Sequence, residues 1–130
     1  MAAIQVMRLA ALTQDVAQAM RESLNGEPVH TVATKVISGE WALLRADSPD
    51  GTAYAILSKT GDSVCVEAVQ GNGGTRLTRA LVDAATHAGL RCEAWVFNKA
   101  RARLSARAGM FLTGASRVSG SGREQLQVST

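Results

Sequence analysis

Apolar and polar positions along the chain fall into short blocks whose period changes several times. Residues 4–9 form a brief apolar run that predicts a first strand. After it Thr13 stands where a helix N-cap would, followed by Val16, Ala17, Met20 and Leu24 at the spacing of one helical face. Asn25-Gly26 and Pro28 close that helix. Residues 29–39 carry two readings. Val32, Val36 and Ile37 fit one helical face, the β-branched content equally fits extended chain, and the stretch stays unassigned. From residue 40 the pattern becomes strand-length apolar runs, 41–46, 52–58 and 63–69, separated by Ser48-Pro49-Asp50-Gly51 and Thr60-Gly61-Asp62. That is an antiparallel meander of three strands.

The period then lengthens. Within residues 75–88, Leu77, Ala80, Leu81, Ala84, Ala85 and Ala88 recur at helical spacing, Arg76, Arg79, Asp83 and His87 point elsewhere, and Gly89 ends the helix. Residues 91–97 read as a strand, and a strand, helix, strand succession of this length favours a right-handed crossover between parallel strands. A second short helix covers 99–108 and stops at Gly109, after which 110–118 and 123–128 form a hairpin around Ser119-Gly120-Ser121-Gly122. The expected fold is one α/β (α+β) domain over residues 1–130, with a mixed, mostly antiparallel sheet, a central parallel strand pair and flanking helices. Trp41, Leu43, Ile56, Val64, Val66, Leu77, Leu81, Val96 and Leu104 are expected to share one core.

Composition narrows the setting. No apolar run approaches the roughly 20 residues that span a bilayer, and residues 1–12 include Gln5 and Arg8 without a basic leader segment, so a soluble, untargeted, cytoplasmic protein is expected. Cys65 and Cys92 lie in strand-like runs outside any C-x-x-C spacing, which argues against a zinc site or disulfide framework and for buried thiols. His30 and His87 suggest neither a triad nor a metal pair. The net charge of +3 is uneven: residues 1–75 hold five basic and eight acidic side chains, residues 76–130 nine and three. An anionic partner for the second half would account for this, whether cofactor phosphates, nucleic acid or an acidic protein surface; a solvated basic face accounts for it equally.

Two stretches carry chemistry. Gln70-Gly71-Asn72-Gly73-Gly74-Thr75, with Val69 before it, joins a strand to a helix, and glycines at a helix start permit close backbone approach to phosphates with unsatisfied N–H groups facing them. Asn98 opens the next helix and Gly109-Met110 closes it. Together with the element order, these stretches resemble the GCN5-related N-acetyltransferase family. Its pyrophosphate motif, Q/R-x-x-G-x-G/A, is matched by Gln70 and Gly73 with Thr75 in the last place. Shifted one residue earlier, Gly74 takes the last place, Val69 the first and Asn72 that of the central glycine. Its second motif, N-x-x-A-x-x-x-Y-x-x-x-G-F, is matched at Asn98 and Gly109, with Arg101, Ser105 and Met110 replacing Ala, Tyr and Phe.

The resemblance implies an acyl-CoA-dependent N-acetyltransferase acting on an unidentified amine. Acetyl-CoA would be held by Val69, Gln70, Gly71, Asn72, Gly73, Gly74 and Thr75 together with Asn98 and Arg101. Ser105 stands in place of the tyrosine general acid and is a poorer proton donor, which makes the active site degenerate. Glu67 is the candidate base, equally readable as a solvent-facing carboxylate because it alternates away from Val64, Val66 and Ala68; Glu93 is a weaker candidate. The stretch between the first helix and the meander is short for a family that places two helices there to form the acceptor pocket. The alternative is a non-catalytic assembly protein of this fold, such as a phage virion or head-to-tail component, meeting protein partners through its basic half. Nucleic-acid binding through Arg101, Arg103 and Arg107 is the weakest reading, since the chain has five aromatic residues and that helix none.

Overall fold

The chain alternates elements as β1 (Gln5–Leu9), α1 (Gln14–Ala19), α2 (Val29–Ser38), β2 (Ala42–Ser48), β3 (Gly51–Thr60), β4 (Ser63–Gly71), α3 (Gly74–His87), β5 (Arg91–Val96), α4 (Lys99–Arg107), β6 (Phe111–Val118) and β7 (Glu124–Ser129). The computed structural model describes residues 4–24, 26–119 and 121–130, so Asn25 of the first turn and Gly120 of the last lie outside the described residues. All seven strands join one sheet in the order β1-β2-β3-β4-β5-β7-β6, in which β4 and β5 are parallel and the other neighbours antiparallel.

Thr13 caps α1 by accepting from the Val16 N–H at 3.4 Å. The unassigned stretch 29–39 is the helix α2. Val32 and Val36, one turn apart, are buried against α1 and the sheet, and that packing outweighs the β-branched preference for extended chain. Between α1 and the meander the described residues hold one helix, α2. The terminal hairpin forms, with β7 inserted between β5 and β6. β6 becomes the sheet edge and is exposed along its whole length.

The expected single core is instead split by the sheet. Val16, Met20, Leu24, Val32, Val36, Leu43, Ile56 and Ala68 pack on the α1–α2 side, with Trp41 and Tyr54 partly buried against them. Val66, Val82, Ala85, Cys92, Ala94, Ala102, Met110 and Val128 pack on the α3–α4 side, continued by Leu77 over Ala46, Ala53 and Ala55. The face of α3 is rotated from the expected one: Leu77, Val82 and Ala85 are buried, Leu81 is half-buried, and Ala84 and Ala88 are exposed. Leu104 is 46% exposed, and half-buried Val64 belongs to none of these clusters.

One irregularity positions the site. Ala55 pairs Val69 and Ile56 pairs Ala68, but Leu57 pairs Val66, leaving Glu67 as an extra residue in β4. The bulge breaks the simple alternation expected around Glu67, and it is why Val66 and Ala68, two residues apart, pack on opposite sides of the sheet. The parallel ladder to β5 runs from Ser63–Arg91 to Val66–Ala94, the last pair before the bulge. Beyond it β4 continues to Gly71 and β5 to Val96, and a wedge opens between them.

Candidate functional site

A cavity of ≈ 1260 Å³ occupies that wedge, reaching from α3 and α4 on one side to α2 and the turn after α1 on the other. Its wall includes Glu67, Val69 to Thr75, Asn98, Arg101 and Ser105 of the residues the sequence suggests for the site. Glu93 is not among the lining residues.

The backbone of the glycine stretch forms one end. Gly71 ends β4 at φ +119, where a Cβ would collide with the Thr52 carbonyl oxygen of the adjacent strand. Gly73 then takes φ +86 and is the N-cap of α3, with no side chain capping the helix and no acidic residue in its first turn. The positive end of a 14-residue helix is thus directed at the cavity, bordered by Gly74, Thr75 and Arg76. Arg76 pairs with Asp50 at 3.0 Å, which holds the β2–β3 turn against this end of the helix.

The side chains of the same stretch do other work. Val69 packs into the α3–α4 core. Gln70 turns to the α1–α2 side, where its Oε1 accepts from the backbone N–H of Ser23 at 2.8 Å. Asn98 caps α4 by accepting from the Arg101 N–H at 2.8 Å, and the Ser105 hydroxyl donates to the Arg101 carbonyl at 3.1 Å. Of the four basic residues of α4, Arg101 alone lines the cavity. Leu104, expected in the core, is exposed because it lines this wall together with buried Met110.

Glu67 is half-buried in β4, with the Ser58 hydroxyl donating to its Oε1 at 2.7 Å. Cys65 lies beside it. Burial, then the Glu67 charge and a hydrogen bond to it, push the Cys65 thiol up to about 12, and burial followed by Glu93 pushes Cys92 up to about 11. Neither thiol ionises near neutral pH. Tyr54, the chain's one tyrosine, packs against the α1–α2 cluster and is not in the cavity wall.

Several lining residues escape the sequence reading. Trp95 on β5 and Phe97 directly after it alternate with Cys92, Ala94 and Val96, which pack in the core, so the period-two pattern of that stretch carries the signal. Arg117, Arg123 and Gln125 reach the cavity from the hairpin because β7 lies next to β5, an order that local pattern does not encode. Among the described residues there is no cluster of three or more metal-ligating side chains, and no helix is long and apolar enough to cross a membrane.

Neither a family model nor a curated protein sequence matches the chain. Solved structures do. The ribosomal-protein-S18-alanine N-acetyltransferase from Escherichia coli superimposes with a TM-score of 0.66 at 17% identity, over 99% of this chain and 92% of that one. The PaiA N-acetyltransferase from Thermoplasma acidophilum, in complex with coenzyme A, does so at 0.64 and 10% identity, over 98% of each chain. The aminoglycoside acetyltransferase AAC(6')-Ib, in complex with coenzyme A and kanamycin, gives 0.66 and 13% identity, over 98% of this chain and 94% of that one. The chain has the fold of the GCN5-related N-acetyltransferases, and at these identities the fold is what is shared.

Proposed function

We propose that the chain binds acetyl-CoA in the wedge between β4 and β5 and transfers its acetyl group to an amine that enters from the α1–α2 side. One observation carries this reading: an uncapped α3 N-terminus, begun by a glycine at φ +86, faces a cavity opened by the Glu67 bulge. The complexes of the same fold with coenzyme A support it. The cradle fits such a ligand, because a side chain at Gly73 would close within 2.9 Å of Ser48 Oγ just where the helix amides must be approached.

Acetyl-CoA, when bound, supplies the acetyl group as a thioester, the amide C–N bond forming as the C–S bond breaks. The first-turn amides of α3 hold pyrophosphate oxygens, and Arg101 adds a charge-assisted hydrogen bond to a phosphate. Glu67, oriented by Ser58, takes the proton lost by the amine. Ser105, whose hydroxyl donates to the Arg101 carbonyl, would be a poor proton donor to the leaving group, and Tyr54 lies outside the cavity wall. Transfer is direct: neither cysteine is among the residues lining the cavity, and burial raises both thiols.

The assembly reading draws on a different observation, the exposed edge strand β6 with Phe111, Leu112 and Val118 at its surface. A single assay separates the two. Purified protein with acetyl-CoA and a broad amine panel should release CoA thiol and yield an N-acetylated product detectable by mass. A chain that neither binds acetyl-CoA nor releases thiol would favour assembly.

A further inference from the structure

We infer that the acceptor is a primary amine bearing its own anionic group, a carboxylate or a phosphate, and that Arg117 and Arg123 receive that group. This rests on the transfer reading above and narrows its acceptor.

β5 divides its side chains cleanly. Cys92, Ala94 and Val96 enter the α3–α4 core, which sends Glu93 and Trp95 to the opposite side of the sheet, and Phe97 follows directly after the strand. There α1 and α2 pack against Leu43, Ile56 and Ala68 of β2, β3 and β4, and the surface of β5 is left to the hairpin. The Arg117 guanidinium lies 4.3 Å from the Trp95 ring centre, and that of Arg123 lies 4.2 Å from the Phe97 ring centre. On the facing wall Lys35 sits 4.3 Å over Trp41. All six residues line the cavity.

Among the described residues none of these three cations is in an ion pair: Arg45 pairs with Asp47, and Arg76 pairs with Asp50 at the α3 end of the cavity. Stacking holds a guanidinium by its face and leaves its in-plane N–H groups available, the arrangement that suits a planar or tetrahedral anion. Arg117 is fixed further: its Nε donates at 2.8 Å to Oε1 of Gln125, a buried residue, so its terminal nitrogens are pre-positioned. The same wall carries carboxylates, Glu67 on β4 with Glu22 and Glu27 from the turn after α1, and both Glu67 and Arg117 act on the charge of Cys65. An acceptor in this cavity meets carboxylates, which suit its amine, and two guanidiniums, which suit an anionic group it carries. A polycation would meet the same guanidiniums unfavourably.

The test uses the full chain and matched amines. Calorimetric titration with acetyl-CoA comes first and tests the transfer reading itself; absence of binding would sink both readings. With acetyl-CoA saturating, thiol release is measured for glucosamine 6-phosphate against glucosamine, serine against serinamide, and kanamycin as the polycation. We expect kcat/KM for the anionic member of at least one pair to exceed that of its partner by about 10- to 100-fold, the effect of one or two charge-assisted hydrogen bonds. Which pair responds distinguishes phosphate from carboxylate. The double substitution Arg117→Met and Arg123→Met should collapse that ratio towards one through KM, with acetyl-CoA affinity retained. Equal rates within both pairs, preference for kanamycin, no reaction despite bound acetyl-CoA, or a preference that survives the double substitution would each overturn the inference.

Discussion

The backbone N–H of Ser23 donates to Oε1 of Gln70 at 2.8 Å, a bond across 47 residues that ties the turn after α1 to the strand leading into the glycine cradle. A glutamine in a phosphate-binding sequence thus acts through the opposite side of the sheet. Gln70→Ala leaves a partly buried donor unsatisfied and should cost about 1–3 kcal/mol in urea unfolding. Acetyl-CoA affinity should change far less than it does on altering Gly73. A Gln70→Ala protein of unchanged stability would show that the bond contributes nothing to the fold.

Leu77 is fully buried over Ala46, Ala53 and Ala55, whereas Leu104 faces the cavity. Leu77→Ala should therefore destabilise by about 2–5 kcal/mol. Leu104→Ala should stay within about 1 kcal/mol, since an exposed side chain leaves no sealed void. Denaturant midpoints compare the two directly, and equal costs would contradict the assignment of their faces.

Much of this was legible from pattern alone, because local rules agree with the fold wherever one side of an element meets the core. The meander, α3, the crossover and the Asn98 cap follow from period and turn chemistry. What stayed hidden depends on distant partners. α2 is rich in β-branched residues and becomes helical only because Val32 and Val36 find a core. The extra residue at Glu67 is a property of two strands together, and alternation read along one strand assigns Ala68 to the wrong side. Arg117 and Arg123 join the site only through the placement of β7 beside β5.

Cys65 offers a pH test. Its thiol is pushed from 9.0 to about 12 in the folded protein, so the unfolded chain loses that proton first. Stability from this group is complete below pH 9 and is lost as pH rises from about 9 towards 12. Cys65→Ala should flatten that alkaline limb in thermal melts. At pH 8, iodoacetamide should modify Cys65 slowly in native protein and rapidly in urea. Cys65→Ala should still support acetyl transfer, and loss of transfer with acetyl-CoA still bound would point to an acyl-cysteine instead.

Glu67→Gln keeps an oxygen to accept from Ser58 and removes the charge. We expect kcat to fall by about 10²- to 10⁴-fold with acetyl-CoA affinity and melting temperature little changed, as for loss of a general base. An unaltered kcat across pH 6 to 9 would leave proton removal to water and assign Glu67 to the support of the bulge.

The most direct measurement is calorimetric titration of wild type and Gly73→Val with acetyl-CoA, both checked for folding by circular dichroism. Gly73 holds φ +86 at the N-cap of α3, and a side chain there meets Ser48 Oγ at 2.9 Å. If the helix amides hold the pyrophosphate, wild type should bind at one site and Gly73→Val should lose more affinity than Lys99→Ala, Arg101→Ala, Arg103→Ala or Arg107→Ala. Equal affinity of folded wild type and Gly73→Val, or no binding by wild type, would contradict it.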